Sequence, residues 1–391
     1  RLDYSFSLHD QDSYYGADHY LAEQTVAFTN LVYTKPWKKH VLTAGVTNRY
    51  QFYDDNTVAT NALNSNIPLR QYLPGFFAEN EWKFGARWTA LTGLRVDYYQ
   101  THGFIPAPRL SLKFDLSEWT SIRANFGTGF KIVNLFTEDH AFVTGQRTVE
   151  ITEELKPEQS WNTSANWHTI YTVGNTQGSF DLDVYYTRFS NMIRPDYDTP
   201  GKIIYANASA FAESYGAALN VNQQFEFPLA YNIGVTYNQS LFYEPSSNGS
   251  LVAIPIEFAP TFTGVFTLNY CIRKWKLDLA YTAQITGPMQ LPEVYDLDGN
   301  GMPLAEARPT RSETFAFQNL QITKHFQKGN WNLYGGSQNL FNYKQSYSPL
   351  TAYNDPNYHT GFSPNFDTSY AYSTLHGREF YLGIRWDFDK R

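Results

Sequence analysis

The stretch DLDGNG, Asp296 to Gly301, sets the oxygen-bearing side chains of Asp296, Asp298 and Asn300 at alternate positions, with glycines that allow a tight turn. The first half of a calcium loop gathers its hard cation this way, through carboxylate and amide oxygens. A bidentate Glu at the twelfth loop position would complete the site, but Ala307 stands there, with Glu306 one place earlier. The stretch reads either as a calcium site, calcium being the only cofactor the sequence suggests, or as a solvated Asp-Gly turn. TEDH brings Glu138, Asp139 and His140 together in a long connection. That trio suits contact with a ligand such as a transition metal or metal chelate, and equally the solvated apex of a loop. HDQDSYYG (His9 to Gly16) and YDDN (Tyr53 to Asn56) are polar and aromatic enough to line a vestibule, as any exposed loop would be. The histidines are scattered, and no His-x-x-Glu-His, Gly-x-Ser-x-Gly or Cys-x-x-Cys arrangement occurs. No nucleophile and base pair can be named, so the sequence predicts a protein that is not an enzyme.

The elements that must position these residues are strands. Aromatics make up 17% of the 391 residues, and no segment sustains a 3.6-residue apolar period, which marks a β-rich chain. In RLSLKFDL, Leu110, Leu112, Phe114 and Leu116 share one face, while Arg109, Ser111, Lys113 and Asp115 share the other. KLDLAYTAQI and EFYLGIRWDF repeat the design. The alternation predicts about 16 strands, at 2–9, 19–34, 40–53, 72–84, 88–100, 107–116, 120–130, 158–172, 178–193, 203–226, 230–244, 260–273, 276–288, 310–327, 331–342 and 379–388. No run of 18 apolar residues is present, so no transmembrane helix is expected; a membrane barrel needs none. The net charge of −7 argues against a nucleic-acid partner, and the single Cys271 cannot form an internal disulfide.

Connections between the strands alternate in length. KPWKK, KFGAR, SEW, VGNTQG, FPLA, RKW and KGN are short, whereas 54–71, 131–157, 194–202, 245–259, 289–309 and 343–378 are mostly long. An outer-membrane barrel places short turns on its periplasmic end and long loops outside. Eight of the nine tryptophans lie in or near the short connections or the last strand's end, as an interfacial girdle would; only Trp161 lies at the other end. Arg109, Lys113, Arg123, Asp181, Asp183, Asp278 and Arg385 then face a wet lumen, where they hold a plug or simply hydrate the wall.

The chain resembles the barrel of TonB-dependent outer-membrane receptors. YLGIRWDF is similar to their C-terminal assembly signal, with Gly383 followed by alternating Trp386 and Phe388. SQNLFNYKQSY, ALTGLRVDYYQ, PAPRLSLKF, SIRANFGTGFK and ELKPEQSWN resemble further segments of the family, in the family's order where they run from ALTGLRVDYYQ onward. FKIVNLF with TEDHAF looks more like receptors of Bacteroidetes type. The resemblance implies an all-β, transmembrane antiparallel β-barrel in which residues 1–391 are the C-terminal part of a 22-strand barrel, the N-terminal plug and first strands being absent. It implies residence in the outer membrane of a Gram-negative bacterium and TonB-energised uptake of a scarce nutrient: a metal chelate such as a ferric siderophore, cobalamin, haem or a glycan. The implied partners are TonB through a missing N-terminal segment, the protein's own plug, outer-membrane lipids, a small-molecule ligand and a surface lipoprotein. The alternative is a passive porin, because 16 strands alone could close a barrel.

Overall fold

The computed structural model describes residues 1–391 other than 16–17, 58–59, 63–64, 101, 133–147, 198, 200–201, 299–301, 327–329, 350–369 and 387–391. In chain order the strands are β1 (Leu2–Tyr15), β2 (Asp18–Trp37), β3 (His40–Asp55), the short β4 (Asn61–Ala62) and β5 (Ser65–Asn66), β6 (Leu69–Phe84), β7 (Trp88–Tyr99), β8 (Gly103–Asp115) and β9 (Thr120–Lys131). The middle of the chain adds β10 (Thr148–Ile151), β11 (Glu158–Val173), β12 (Thr176–Asn191), β13 (Ile193–Asp196), β14 (Lys202–Asn207), β15 (Phe211–Gln224), β16 (Leu229–Pro245) and β17 (Leu251–Pro255). The last third holds β18 (Phe262–Ile272), β19 (Leu277–Thr286), β20 (Tyr295–Leu297), β21 (Pro303–Ala307), β22 (Phe315–Phe326), β23 (Trp331–Gln338) and β24 (Glu379–Trp386).

The long strands form one antiparallel sheet in which each pairs with the next long strand in the chain, from β1 to β24, and short β17 branches from the upper part of β16. This is the predicted all-β wall, with the predicted alternation of apolar and polar faces. In β24 the outward row Phe380, Leu382, Ile384 and Trp386 is 62 to 78% exposed, as a lipid-facing surface must be. Few apolar side chains are buried, and those that are gather mainly at the long-loop end rather than inside the wall.

Short turns close the other end, several of them on left-handed residues: Lys38, Gly85, Gly174, Lys276 and Asn330. Around them runs the expected aromatic belt. Trp37, His40, Trp82, Phe84, Trp88 and Phe114 follow one another across β2, β3, β6, β7 and β8, with ring centroids 4.4 to 6.0 Å apart. Indoles suit this level because one end of the ring is apolar and the other hydrogen-bonds.

One expected strand divides. The segment 203–226 is not one strand: β14 ends at Asn207 and β15 starts at Phe211, and β14 pairs with β10 and β13 instead of the wall. Among the described residues the sheet is open: β1 pairs only with β2 and β24 only with β23. Among the described residues the sixteen-strand closure that the porin alternative requires is not formed. Both edges carry an outward apolar row, Tyr4, Phe6 and Leu8 on β1 and Phe380, Leu382 and Ile384 on β24.

Candidate functional site

Alternation on β2, β3, β6 and β7 turns Gln24, Phe28, Thr47, Arg49, Gln51, Gln71, Leu73, Arg95 and Asp97 into the lumen. With Phe130, Lys131 and Ile132 at the end of β9 they line a chamber of about 630 Å³ in the upper lumen. Arg95 donates to both oxygens of Asp97, from Nε at 2.6 Å and from Nη2 at 2.7 Å. Asp97 is only 1% exposed. It fits there because Gly75 of β6, its register partner, has no side chain: a Cβ at Gly75 would lie 2.3 Å from the Asp97 carboxylate. Arg49 donates from Nη2 to Gln51 Oε1 at 3.0 Å, and the Gln71 amide donates to the Tyr99 hydroxyl at 2.9 Å. The wall thus offers a cluster of guanidinium and amide groups, with one carboxylate already committed to Arg95. Such a surface suits an anionic, oxygen-rich ligand.

A roof lies directly above. Tyr20 and Ala22 of β2 and Tyr53 of β3 are the inward residues next beyond Gln24 and Gln51, and they pack against Ile193, Ile203 and Tyr205 of β13 and β14. Leu69, Val149, Leu155 and Tyr197 complete the cluster. The β10–β14–β13 sheet arises from connections far along the wall, so this packing bridges strands that are not neighbours. Beneath it the Tyr53 hydroxyl donates to Asp55 at 2.7 Å and shares a 2.8 Å hydrogen bond with the Tyr20 hydroxyl. Asp55 also accepts from Thr57 and Thr60. An ion pair from Lys202 to Glu150 at 2.6 Å, and another between Arg194 and Glu244, hold the roof's edges.

The residues singled out from sequence fall in several places. Within YDDN, Tyr53 and Asp55 are buried beneath the roof, and the Asn56 side chain ties the backbone of His19 and Leu21. Within HDQDSYYG, Asp12 meets His19 at 2.7 Å and the Tyr14 ring stacks on His19. Glu138, Asp139, His140, Asn300 and Phe388 lie outside the described residues. Gly383 and Trp386 belong to β24, where the ring of Tyr334 rests on Gly383 and that of Tyr381 on Gly336; a Cβ at Gly383 would stand 2.4 Å from the Tyr334 ring. Lys113, Arg123, Asp181 and Asp183 share a lower lumenal recess with Glu81 and His168, as their alternation predicts.

In DLDGNG the two described carboxylates, Asp296 and Asp298, already have partners within the chain. Asp296 Oδ1 accepts from Nε of Arg308 at 3.1 Å and from Nη2 at 2.5 Å. Asp298 Oδ1 accepts the Met302 N–H at 2.8 Å, closing the β20–β21 hairpin. The two carboxylates serve a buried cation and a turn, and among the described residues no group of three His, Cys, Asp or Glu could hold a metal. Arg308, which the sequence reading missed, anchors a second cluster: its Nη1 donates to the Ser348 carbonyl at 2.5 Å, and its guanidinium lies 5.1 Å from the Tyr370 ring. Met289, Leu291, Val294 and Phe315 complete that cluster with Tyr370, whose phenol is pushed above its ordinary pKa chiefly by burial.

Residues 1–340 match the family described as "TonB dependent receptor-like, beta-barrel", and the chain belongs to it. It carries barrel wall of a family of outer-membrane transporters of Gram-negative bacteria, a family that is not one of enzymes. Solved structures agree in fold. A ferric enterobactin receptor variant from Pseudomonas aeruginosa, in complex with enterobactin, has 17% identity and a TM-score of 0.65 over 94% of this chain and 54% of that one. The copper transporter OprC has 15% identity and a TM-score of 0.66 over 98% and 61%. The FrpB iron transporter from Neisseria meningitidis has 15% identity and a TM-score of 0.63 over 94% and 55%. The chain thus spans little more than half the length of these structures. No curated protein matches it. The Bacteroidetes-type likeness of FKIVNLF finds no support in these comparisons.

Proposed function

We propose that this chain is the C-terminal part of the barrel of a TonB-energised receptor that takes up an anionic metal chelate through the roofed chamber. The observation that carries this is the gathering of Arg49, Arg95 and Lys131 with three glutamines in one roofed space. From the sequence, TEDH and the absence of an obvious cationic cluster in the long loops point to cobalamin or a metal chelate. The cations sit on the strands instead, which favours an anion over cobalamin. The relatives whose names mention enterobactin, iron and copper fit a metal-linked cargo. In this reading the charged lower recess grips a plug, and TonB acts on that plug to open the path.

The test is isothermal titration of the full-length receptor with ferric enterobactin, ferric citrate and cobalamin. Binding of a ferric chelate, weakened about tenfold by Arg49→Gln through loss of a charged hydrogen-bond donor, is expected. Binding of cobalamin alone, indifferent to Arg49→Gln, would overturn the reading.

A further inference from the structure

The outward face of the wall carries a second pattern above its lipid-facing rows. Three arginines lie over the rings of outward aromatics at the long-loop ends of their strands. Arg188 is 3.8 Å from the Phe211 centroid, Arg70 is 5.8 Å from Phe52, and Arg378 is 6.0 Å from Phe380. Each stands two residues beyond an aromatic of its outward row, namely Tyr186, Tyr72 and Phe380. Tyr186 belongs to an upper aromatic ring in which Phe126, Trp161, Tyr186 and Tyr215 follow one another at 5.2 to 6.5 Å. Aromatic girdles mark the membrane interface, so the arginines stand at the depth of the outer-leaflet headgroups.

Among the described residues none of the three makes an ion pair. The register partner of Arg188, Glu213, is engaged by the hydroxyls of Tyr186 at 2.8 Å and Tyr243 at 2.6 Å. At the short-turn end lysines predominate, among them Lys38, Lys39, Lys83, Lys274 and Lys276. The difference matters chemically: a guanidinium beside a ring has a planar fork of N–H donors that can take two phosphate oxygens, whereas an ammonium is a hydrated point charge. From this we infer that Arg70, Arg188 and Arg378 form a rim of binding points for the phosphate groups of the outer-leaflet glycolipid, separate from the lumenal site.

The test places the full-length receptor in nanodiscs containing either bisphosphorylated or fully dephosphorylated lipid A, and counts retained lipid by native mass spectrometry. The wild type is expected to keep the phosphorylated form. Arg188→Gln lowers retention about fivefold, and the triple Arg70→Gln, Arg188→Gln, Arg378→Gln variant falls to the level of the dephosphorylated lipid. Arg188→Lys, which keeps the charge and loses the fork, gives an intermediate loss. Heat-modifiable gel mobility equal to wild type verifies that each variant is folded, and the Lys variant decides the question if the triple variant does not fold. Equal retention of both lipids, wild-type retention by the folded triple or Lys variant, or displacement of the lipid by millimolar inorganic phosphate would overturn the assignment.

Discussion

At the mouth of the barrel, the cluster around Tyr53 and Ile203 joins β2 and β3 to hairpins rooted beyond β12, whereas the cluster around Leu291 and Tyr370 is assembled from connections beside β19, β22 and β23. Both use buried aromatic and branched side chains. They differ in what holds them. The second is clasped by buried Arg308, which links Asp296, Ser348 and Tyr370. The first depends on apolar docking and on hydroxyl bonds between Tyr20, Tyr53 and Asp55, with its ion pairs only partly buried. A contact that spans distant strands closes a longer loop and costs more chain entropy, so the roof is expected to open at lower free energy than the clasped cluster. Material alone does not make a lid; its attachment does.

Arg308→Met should break this contrast most strongly. It strands the Asp296 carboxylate and the Ser348 carbonyl and costs about 3 kcal/mol of local stability. Hydrogen exchange measured by mass spectrometry should rise in 289–312 and stay unchanged in 193–207; equal rises would mean that the clusters form one unit. Ile203→Ala, at a residue 1% exposed, should cost about 2 to 3 kcal/mol. Its effect is to raise exchange around Tyr53 and speed ligand association at the chamber while leaving 289–312 protected; an unchanged association rate would show that the roof does not gate access. The smallest effect belongs to Asp298→Ala, which loses one turn hydrogen bond worth about 1 kcal/mol. Calorimetry should find no calcium heat on either wild type or variant, and a calcium heat abolished by the variant would restore DLDGNG as a cation site.

Much of the wall was legible because a barrel writes its two faces into every second residue. Strands expected at 88–100 and 120–130 appear as Trp88–Tyr99 and Thr120–Lys131. The first strand, expected to end at residue 9, runs on to Tyr15 because HDQDSYY keeps its ladder to β2 without an apolar face to announce it. The roof was not legible, since it depends on residues more than a hundred positions apart meeting through loops with no periodic signal. The chamber lay between these cases. Arg95 and Asp97 share a face by their spacing, but their meeting with Arg49 and Lys131 follows from inter-strand register, which no single strand reveals.

The pairing of Tyr334 with Gly383 and of Tyr381 with Gly336 bears on how the chain is built rather than on how it works. Each ring occupies the space its neighbour's glycine leaves open, so the last two strands match like a key cut on both edges. Sliding β24 by two residues keeps every side chain on its proper face and would satisfy the backbone ladder equally well. One such slip sets Tyr334 against Tyr381; the other sets the two glycines together and Tyr334 against Arg385. Both waste the fit, and the first also collides two rings. During insertion of the final hairpin, these four residues thus reject the errors that hydrophobic alternation cannot detect.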